Sequence, residues 1–273
     1  MKKSEELRCL DRYDINDLCD IMTLLRSENG CPWDREQTHK SIRKDFIEET
    51  YEAVEAIDRD DPHLLREELG DVLLQLVFHS EIERESGNFS FDDVINDICV
   101  KLIYRHPHVF GNVTVENSGE VLDNWDKLKK EEKKEERATV TDELRAVPAS
   151  LPALMRAQKV GKRAGKVGFD FRDALQAMDK VREEVDEVSE ELERLSLDKE
   201  RISEEIGDLL LAVTNVARFT GVDCEEALGK ATEKFISRFE GVESATEKCG
   251  KCIKNMSETE LLSYWEAEKI KKS

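Results

Sequence analysis

Proline and glycine are scarce in this chain, five and thirteen among 273 residues, and most of them fall between periodic stretches. Runs of alternating apolar and polar residues are absent, which removes the usual sign of β-strands. Positive charge is in deficit. Forty-two Lys and Arg face sixty-two Asp and Glu, a formal net charge of −20. Such a chain has no overall field to attract nucleic acid or an anionic membrane, so the sequence predicts neither as a partner. No run approaches the ~18 apolar residues of a membrane span. The opening MKKSEELRCLDRYD has no apolar signal region, and residues 1–12 read as an added tail. The seven cysteines are scattered and odd in number, which predicts free thiols in a reducing cytoplasm rather than a disulfide framework. Cys249 and Cys252 form a single CxxC. A structural zinc site needs about four ligands, and all five histidines lie in the first half, so this pair reads as an incidental loop. No GxxxxGK[ST] occurs, which excludes a P-loop.

What remains is helical periodicity on a chain that is 38% charged and 39% apolar, enough for a core if arranged as stripes. The expected class is all-α, with two tandem helical-bundle domains. The expected boundaries are 13–140 for the first, 141–152 for a linker and 153–273 for the second. The charged, then proline-containing, stretch 127–154 marks the break. A repeat supports the division. EELGDVLL at 67–74 returns as EEIGDLLL at 204–211. When Glu68 is set on Glu205, Leu65, Leu69, Val72, Leu73 and Leu76 all meet aliphatic residues. Upstream, Glu49 falls on Glu184. Downstream, Lys101-x-x-x-Arg105 matches Lys234-x-x-x-Arg238, and Trp125-x-x-x-Lys129 matches Trp265-x-x-x-Lys269. Two copies of one helical unit explain that order.

In the second copy Val181, Val185, Val188, Leu192 and Leu195 step as one stripe and predict a buried face. At about 100° per residue, Glu184 and Glu187 lie roughly 60° and 120° to one side of Val181, and Glu205 and Asp208 take the same offsets from Ile202. If the two helices pack antiparallel through their stripes, four carboxylates meet at the edge. Such a group must protonate or hold a cation. Oxygen-only ligands favour Mg²⁺, with Mn²⁺ as a second choice, and Mg²⁺ commonly bridges to substrate phosphates. A ferritin-like di-iron centre would want Glu-x-x-His, whereas Glu184 and Glu205 are followed three residues later by Glu and Asp. One Glu-x-x-Glu alone would be an ordinary solvated face; the duplication and the companion Glu-x-x-Asp set these apart. Lys234 and Arg238 are one turn apart, as are Trp265 and Lys269, so they can offer cations to phosphate and a ring to a base. Each pair taken alone reads as a solvated face or a packed aromatic; its recurrence in order in the first half is what brings a ligand contact level with that reading.

Glu49-x-x-Glu52 with Glu68-x-x-Asp71, and Glu184-x-x-Glu187 with Glu205-x-x-Asp208, resemble the signature of the all-α nucleoside triphosphate pyrophosphohydrolases. GCPWDREQTH, IEETYE, EELGD, RHPHVFG, SLPALMRAQK, VGFD and EEIGD extend the resemblance to the two-domain MazG family over about residues 30–273. The resemblance implies a homodimer whose subunits share the sites. It also implies Mg²⁺-dependent hydrolysis of NTPs or dNTPs to the monophosphate and pyrophosphate. Those eight carboxylates would then be the metal ligands. Lys180, Arg201, Lys234, Arg238, Trp265 and Lys269 would contact substrate, as would Lys101, Arg105, Trp125 and Lys129 in the first copy. Glu183 or Glu204 would orient or deprotonate the attacking water, although spacing alone leaves either free to face solvent. The copies are unequal: Lys180 and Arg201 precede the acidic pairs of the second, whereas Asp45 and Leu64 stand there in the first, with Lys44 and Arg66 nearby. The second copy is therefore expected to be the main site. A helical protein that binds nucleotide without cleaving it is the rival reading.

Overall fold

The computed structural model describes residues 4–132 and 139–271; the charged stretch 133–138 inside the expected first domain lies outside them. Every regular element among the described residues is helical. The chain divides into two compact units between Glu132 and Lys133. Unit 1 holds α1 (Ser4–Leu7), α2 (Ile15–Arg26), α3 (Pro32–Glu36), α4 (Arg43–Asp58), α5 (Pro62–Glu85), α6 (Phe91–Arg105), α7 (Pro107–Phe110) and α8 (Ser118–Glu132). Unit 2 holds α9 (Val140–Arg145), α10 (Ala153–Gly165), α11 (Ala174–Leu192), α12 (Lys199–Thr220), α13 (Cys224–Lys248), a 3₁₀ turn (Ile253–Asn255) and α14 (Glu258–Lys271). The stretch 141–152 carries most of α9, which packs on α10.

Side-chain caps set where the long helices begin. Asp14 accepts from the backbone N–H groups of Asn16 and Asp17, and Asp17 returns the bond to Asp14, starting α2. Asp61 caps α5, with Pro62 in its first turn, and Asp198 caps α12 in the same way. Ser90 and Asp223 start α6 and α13. The repeat therefore extends to the caps: each acidic pair sits on two consecutive long helices, the second of which is opened by an Asp. At the far end of α12, Gly221 takes φ +71° and closes the helix in the left-handed region.

In unit 1, α5 is the central element and packs on α2, α4 and α6. Met22, Ile42, Val77 and Phe78 form its buried core, with Ile15, Leu18, Leu74, Ile82 and Phe91 against them. Within the expected added tail, α1 packs on α2 and Leu7 is buried. In unit 2, α12 packs most extensively on α11 and also on α10, while α13 packs on α14 and α10.

The seam between α11 and α12 differs from the sequence expectation. Val185, Leu192 and Leu195 of the predicted stripe are exposed, and so are Ile206 and Val213 of its partner. Val181 of the stripe is buried as expected, but the rest of the buried face of α11 carries Ala177, Glu184 and Glu191, and that of α12 carries Ala212 and Thr214. Unit 1 repeats this with Ala53 and Ala56 buried on α4 while Ile57 and Leu69 are exposed. Alanines let two helices approach closely, which draws the neighbouring carboxylates into the seam and leaves the larger aliphatic residues facing outward. Glu184 is thus buried and Glu49, Glu187 and Glu205 half-buried, while Glu52 and Asp208 stay exposed.

Candidate active site

Both acidic groups form, one in each unit. Glu49, Glu68 and Asp71 each present an oxygen within 4.8 Å of the others, and so do Glu184, Glu187 and Glu205. Glu52 hydrogen-bonds Glu68 in the first group. Asp208 sits one turn beyond Glu205, is exposed, and is outside the second group.

Glu184 is the deepest of these, 3% exposed, and its Oε2 is buried with no donor facing it. Its other oxygen, Oε1, takes the Lys180 Nζ at 2.7 Å, and the same Nζ reaches Glu183 Oε1 at 2.8 Å. The bonds to Glu183 and then Glu184 raise the Lys180 pKa. Glu187 hydrogen-bonds Glu184, which two carboxyl groups can do only if one holds a proton. Its pKa is raised by burial first, then by that bond and the Glu184 charge. In unit 1 the same causes act without a cation. Glu49 is raised by burial, then by Asp71, Glu52, Glu68 and Asp45; Glu68 is raised by burial, then by Glu52.

A raised carboxyl pKa has a definite sign in stability. The folded chain holds its proton more tightly than the unfolded chain does. The contribution is therefore present below the unfolded value near 4.5 and is lost as pH rises through the folded value. At neutral pH without divalent cations these groups oppose folding. Glu68→Gln is expected to raise the melting temperature of the metal-free protein at pH 7. The same substitution should shrink the rise that millimolar Mg²⁺ gives the wild type. Differential scanning fluorimetry with and without EDTA measures both.

The other expected site residues are spread over several elements. Arg201 lies 3.8 Å from Glu191 across the α11–α12 seam, and Arg194 bonds Glu191 at 2.7 Å. Glu191 is 4% exposed, with its Oε2 buried and unpartnered. Glu183 and Glu204 are exposed. Lys234 and Arg238 lie on α13; Lys234 is exposed, and the Arg238 Nε is buried without an acceptor. Trp265 on α14 packs against Phe235 at 5.0 Å between ring centroids, and Lys269 lies 3.5 Å from Glu266. α13 packs on α14 and on α10, so this basic and aromatic group is built on elements other than the acidic seam.

In unit 1, Lys101 and Lys129 are exposed. Arg105 is buried; its Nε donates to Glu132 Oε2 at 3.1 Å and its guanidinium stacks 5.4 Å over Trp125. Trp125 also meets His106 edge-on at 4.9 Å. These two side chains are committed to internal packing. Lys44 pairs with Glu48 at 2.7 Å. The CxxC cysteines are free and exposed, and belong to neither candidate metal group among the described residues. Gly70 and Gly207, between the acidic residues of each copy, would meet nothing within 4 Å if given a Cβ. They are not there to admit a neighbour from within the chain.

Two clusters escaped the sequence reading. Glu191 has a spacing signal, two turns from Glu184 on the same face, but its partner Arg201 is on another helix. In unit 1, His39 Nδ1 lies 2.8 Å from His79 Nδ1 and its Nε2 lies 2.6 Å from Glu83. Burial and then His39 lower the His79 pKa; hydrogen bonds from Asn88 and then His39 lower that of Glu83. The repeat alignment sets Val216 and Thr220 opposite His79 and Glu83, so this cluster belongs to unit 1 alone.

The donors in both acidic groups are all carboxylate oxygens, and one buried oxygen of Glu184 lacks any hydrogen-bond donor. That set fits a hard divalent cation. Comparison with known proteins agrees with the duplication. Residues 37–110 and 172–242 each match the MazG nucleotide pyrophosphohydrolase domain. The chain is 42% identical over 253 residues to the nucleoside triphosphate pyrophosphohydrolase/pyrophosphatase MazG of Thermotoga maritima, covering 93% of this chain and 94% of that protein. It is 46% identical over 232 residues to the nucleoside triphosphate pyrophosphohydrolase of Escherichia coli K12, covering 84% and 87%. The uncharacterized protein YabN of Bacillus subtilis is 41% identical over 249 residues, 91% of this chain and 50% of that protein. With two matched domains and the Thermotoga maritima relative aligned along almost its whole length, the chain belongs to the MazG nucleotide pyrophosphohydrolase family.

Proposed function

We propose that this chain hydrolyses nucleoside and deoxynucleoside triphosphates to the monophosphate and pyrophosphate, with unit 2 as the main site and Mg²⁺ as the cofactor, Mn²⁺ substituting. The observation that carries this is Glu184, buried beside Glu187 and Glu205 with an oxygen that no donor satisfies. Glu184, Glu187, Glu205 and Asp208 would hold the cation in unit 2, and Glu49, Glu52, Glu68 and Asp71 in unit 1. When bound, such a cation supplies Lewis-acid neutralisation of phosphate charge. Lys180 and Arg201 stand at the two ends of the unit 2 seam to take phosphate oxygens, and Glu183 or Glu204 orients the water that attacks the α-phosphorus. Lys234, Arg238, Trp265 and Lys269 form the further cationic and aromatic surface for pyrophosphate and base.

A homodimer accounts for two features of the chain. The aliphatic residues displaced from the seam, Val185, Leu192, Ile206, Leu210 and Val213, need cover. The α13–α14 cations and the α11–α12 carboxylates sit on separately packed elements, which a second copy would bring together. We place the protein in the cytoplasm, where its free cysteines stay reduced; among the described residues no helix is long and apolar enough to cross a membrane.

Product analysis tests the reaction. Incubation with Mg²⁺ and each of the common NTPs and dNTPs is expected to release monophosphate and pyrophosphate in equal amounts. Diphosphate and orthophosphate would point to a phosphatase-type NTPase, and Mg²⁺-dependent binding without product would point to a nucleotide sensor.

A further inference from the structure

The repeat permits a controlled comparison of the two acidic cradles, because the chain builds both from equivalent helices. In unit 1 the matched positions are Asp45, Glu49, Glu52, Leu64, Glu68 and Asp71, five carboxylates and no cation. In unit 2 Asp45 is replaced by Lys180 and Leu64 by Arg201, while Ala56 becomes Glu191. Lys180 is not a bystander on the surface. Its Nζ is 2.7 Å from Oε1 of Glu184, the most buried carboxylate of the cradle. Arg201 is held from the opposite end by Glu191.

We propose that Lys180 is a tethered counter-ion for unit 2, neutralising Glu184 while no divalent cation is bound and swinging to substrate phosphate when one binds, so that unit 1 loads metal first. This rests on the metal-dependent reading of the site given above. A cation entering unit 2 must displace an ammonium from Glu184 and feels the repulsion of Lys180 and Arg201. A cation entering unit 1 displaces no ammonium and gains the additional charge of Asp45. At separations of a few ångströms in a partly buried seam, unit charges alter affinity by a measurable factor even after screening. The released Lys180 has an immediate use, because its Glu184 bond is a one-turn contact (i to i+4) that a rotamer change breaks without moving α11. The two units would then divide labour. Unit 1 would keep metal at low divalent concentration, and unit 2 would take it as the metal and the nucleotide arrive together.

Mn²⁺ titration of the metal-free full chain, followed by electron paramagnetic resonance of the free ion and by calorimetry, tests this without turnover. Two classes of site are expected, the tighter lost in Glu68→Gln and the weaker lost in Glu205→Gln. Lys180→Met should tighten the weaker class by about three- to tenfold and leave the tighter one unchanged, while slowing pyrophosphate release; tighter metal with slower turnover is a split that mere loosening of α11 would not produce. Lys180→Ala provides the same reading if Met packs poorly, and Asp45→Lys should weaken the tighter class by a similar factor. Equal affinity of the two classes in the wild type overturns the proposal. So does a tight class that depends on Glu205, or a weak class that both Lys180 variants leave unchanged. No Mn²⁺ binding at all overturns the metal reading with it. If Mn²⁺ binds as expected and no pyrophosphate is released, the hydrolase reading fails and the ordering of the two cradles stands.

Discussion

Glu184→Gln is expected to lower Mg²⁺-dependent pyrophosphate release by about 10²- to 10³-fold, the loss of roughly 3–4 kcal/mol of transition-state stabilisation. The substitution replaces one oxygen by an NH2 group of nearly the same volume, so the buried side chain still fits its place on α11. It replaces the buried carboxylate by a neutral amide; the amide oxygen can still accept from Lys180 Nζ, which now bonds at 2.7 Å, but the second oxygen becomes an NH2 group that cannot ligate a cation. The effect should appear in kcat and kcat/KM alike, because charge on the phosphates rises towards the transition state. Glu49→Gln makes the same change at the matched place in unit 1 and should cost far less, since no Lys180 or Arg201 stands there. Steady-state assays of both variants with one good substrate decide the matter. If Glu49→Gln were the more damaging, the assignment of the main site would have to move to unit 1.

Much of this was legible in the residues, and the parts that were not have a common cause. Helical class and the duplication follow from periodicity and from motifs in the same order, which are local properties. The acidic groups were legible because residues three apart on one helix stay neighbours whatever the helix packs against. The Lys180–Glu184 pair follows the same spacing rule, although it was read as a phosphate contact rather than as an ion pair. The contact face was misread. Amphipathic reasoning buries the whole aliphatic stripe, but Ala177, Ala212, Ala53 and Ala56 are buried, while Val185, Leu192, Ile206 and Val213 face outward. Periodicity reports that a face is apolar, not which partner covers it. Pairs that join different helices, such as Glu191 with Arg201 or His39 with His79 and Glu83, depend on packing distance and had no signal in one sequence. Arg105 carries the same lesson. Its repeat position suggested a substrate contact, yet it is buried between Glu132 and Trp125. Equivalent positions in a repeat keep their backbone setting and can change their task.

Arg26→Ala should destabilise unit 1 by about 1–3 kcal/mol, the range for leaving the hydrogen-bond partners of a buried group unpaired; Glu85, 38% exposed, can turn to water. The Arg26 side chain is 5% exposed and donates to four acceptors. Nε and Nη2 form a fork on Glu85 at 2.9 and 2.8 Å, while Nη1 reaches the carbonyls of Asp34 at 2.5 Å and Gln37 at 3.3 Å. Its guanidinium also lies 5.3 Å over the Phe78 ring in the core. One side chain of α2 thus ties the last turn of α5 to the loop that begins at Cys31 and leads into α4. Removing it leaves two carbonyls and a carboxylate to find other donors, and such a cost is a large fraction of the ~5–15 kcal/mol that holds a domain folded. Lysine should not rescue it, since a single ammonium cannot reproduce the planar fork and the two carbonyl contacts together. Hydrogen exchange on the full chain locates the loss. Faster exchange is expected in α2, α3 and the end of α5, with α11 and α12 unchanged because they belong to the other unit. The loop released is the one that delivers His39 to His79 and aligns α4, so Glu49 should lose its fixed distance to Glu68. Mn²⁺ binding to the unit 1 cradle should weaken in Arg26→Ala, although Arg26 is not among its ligands.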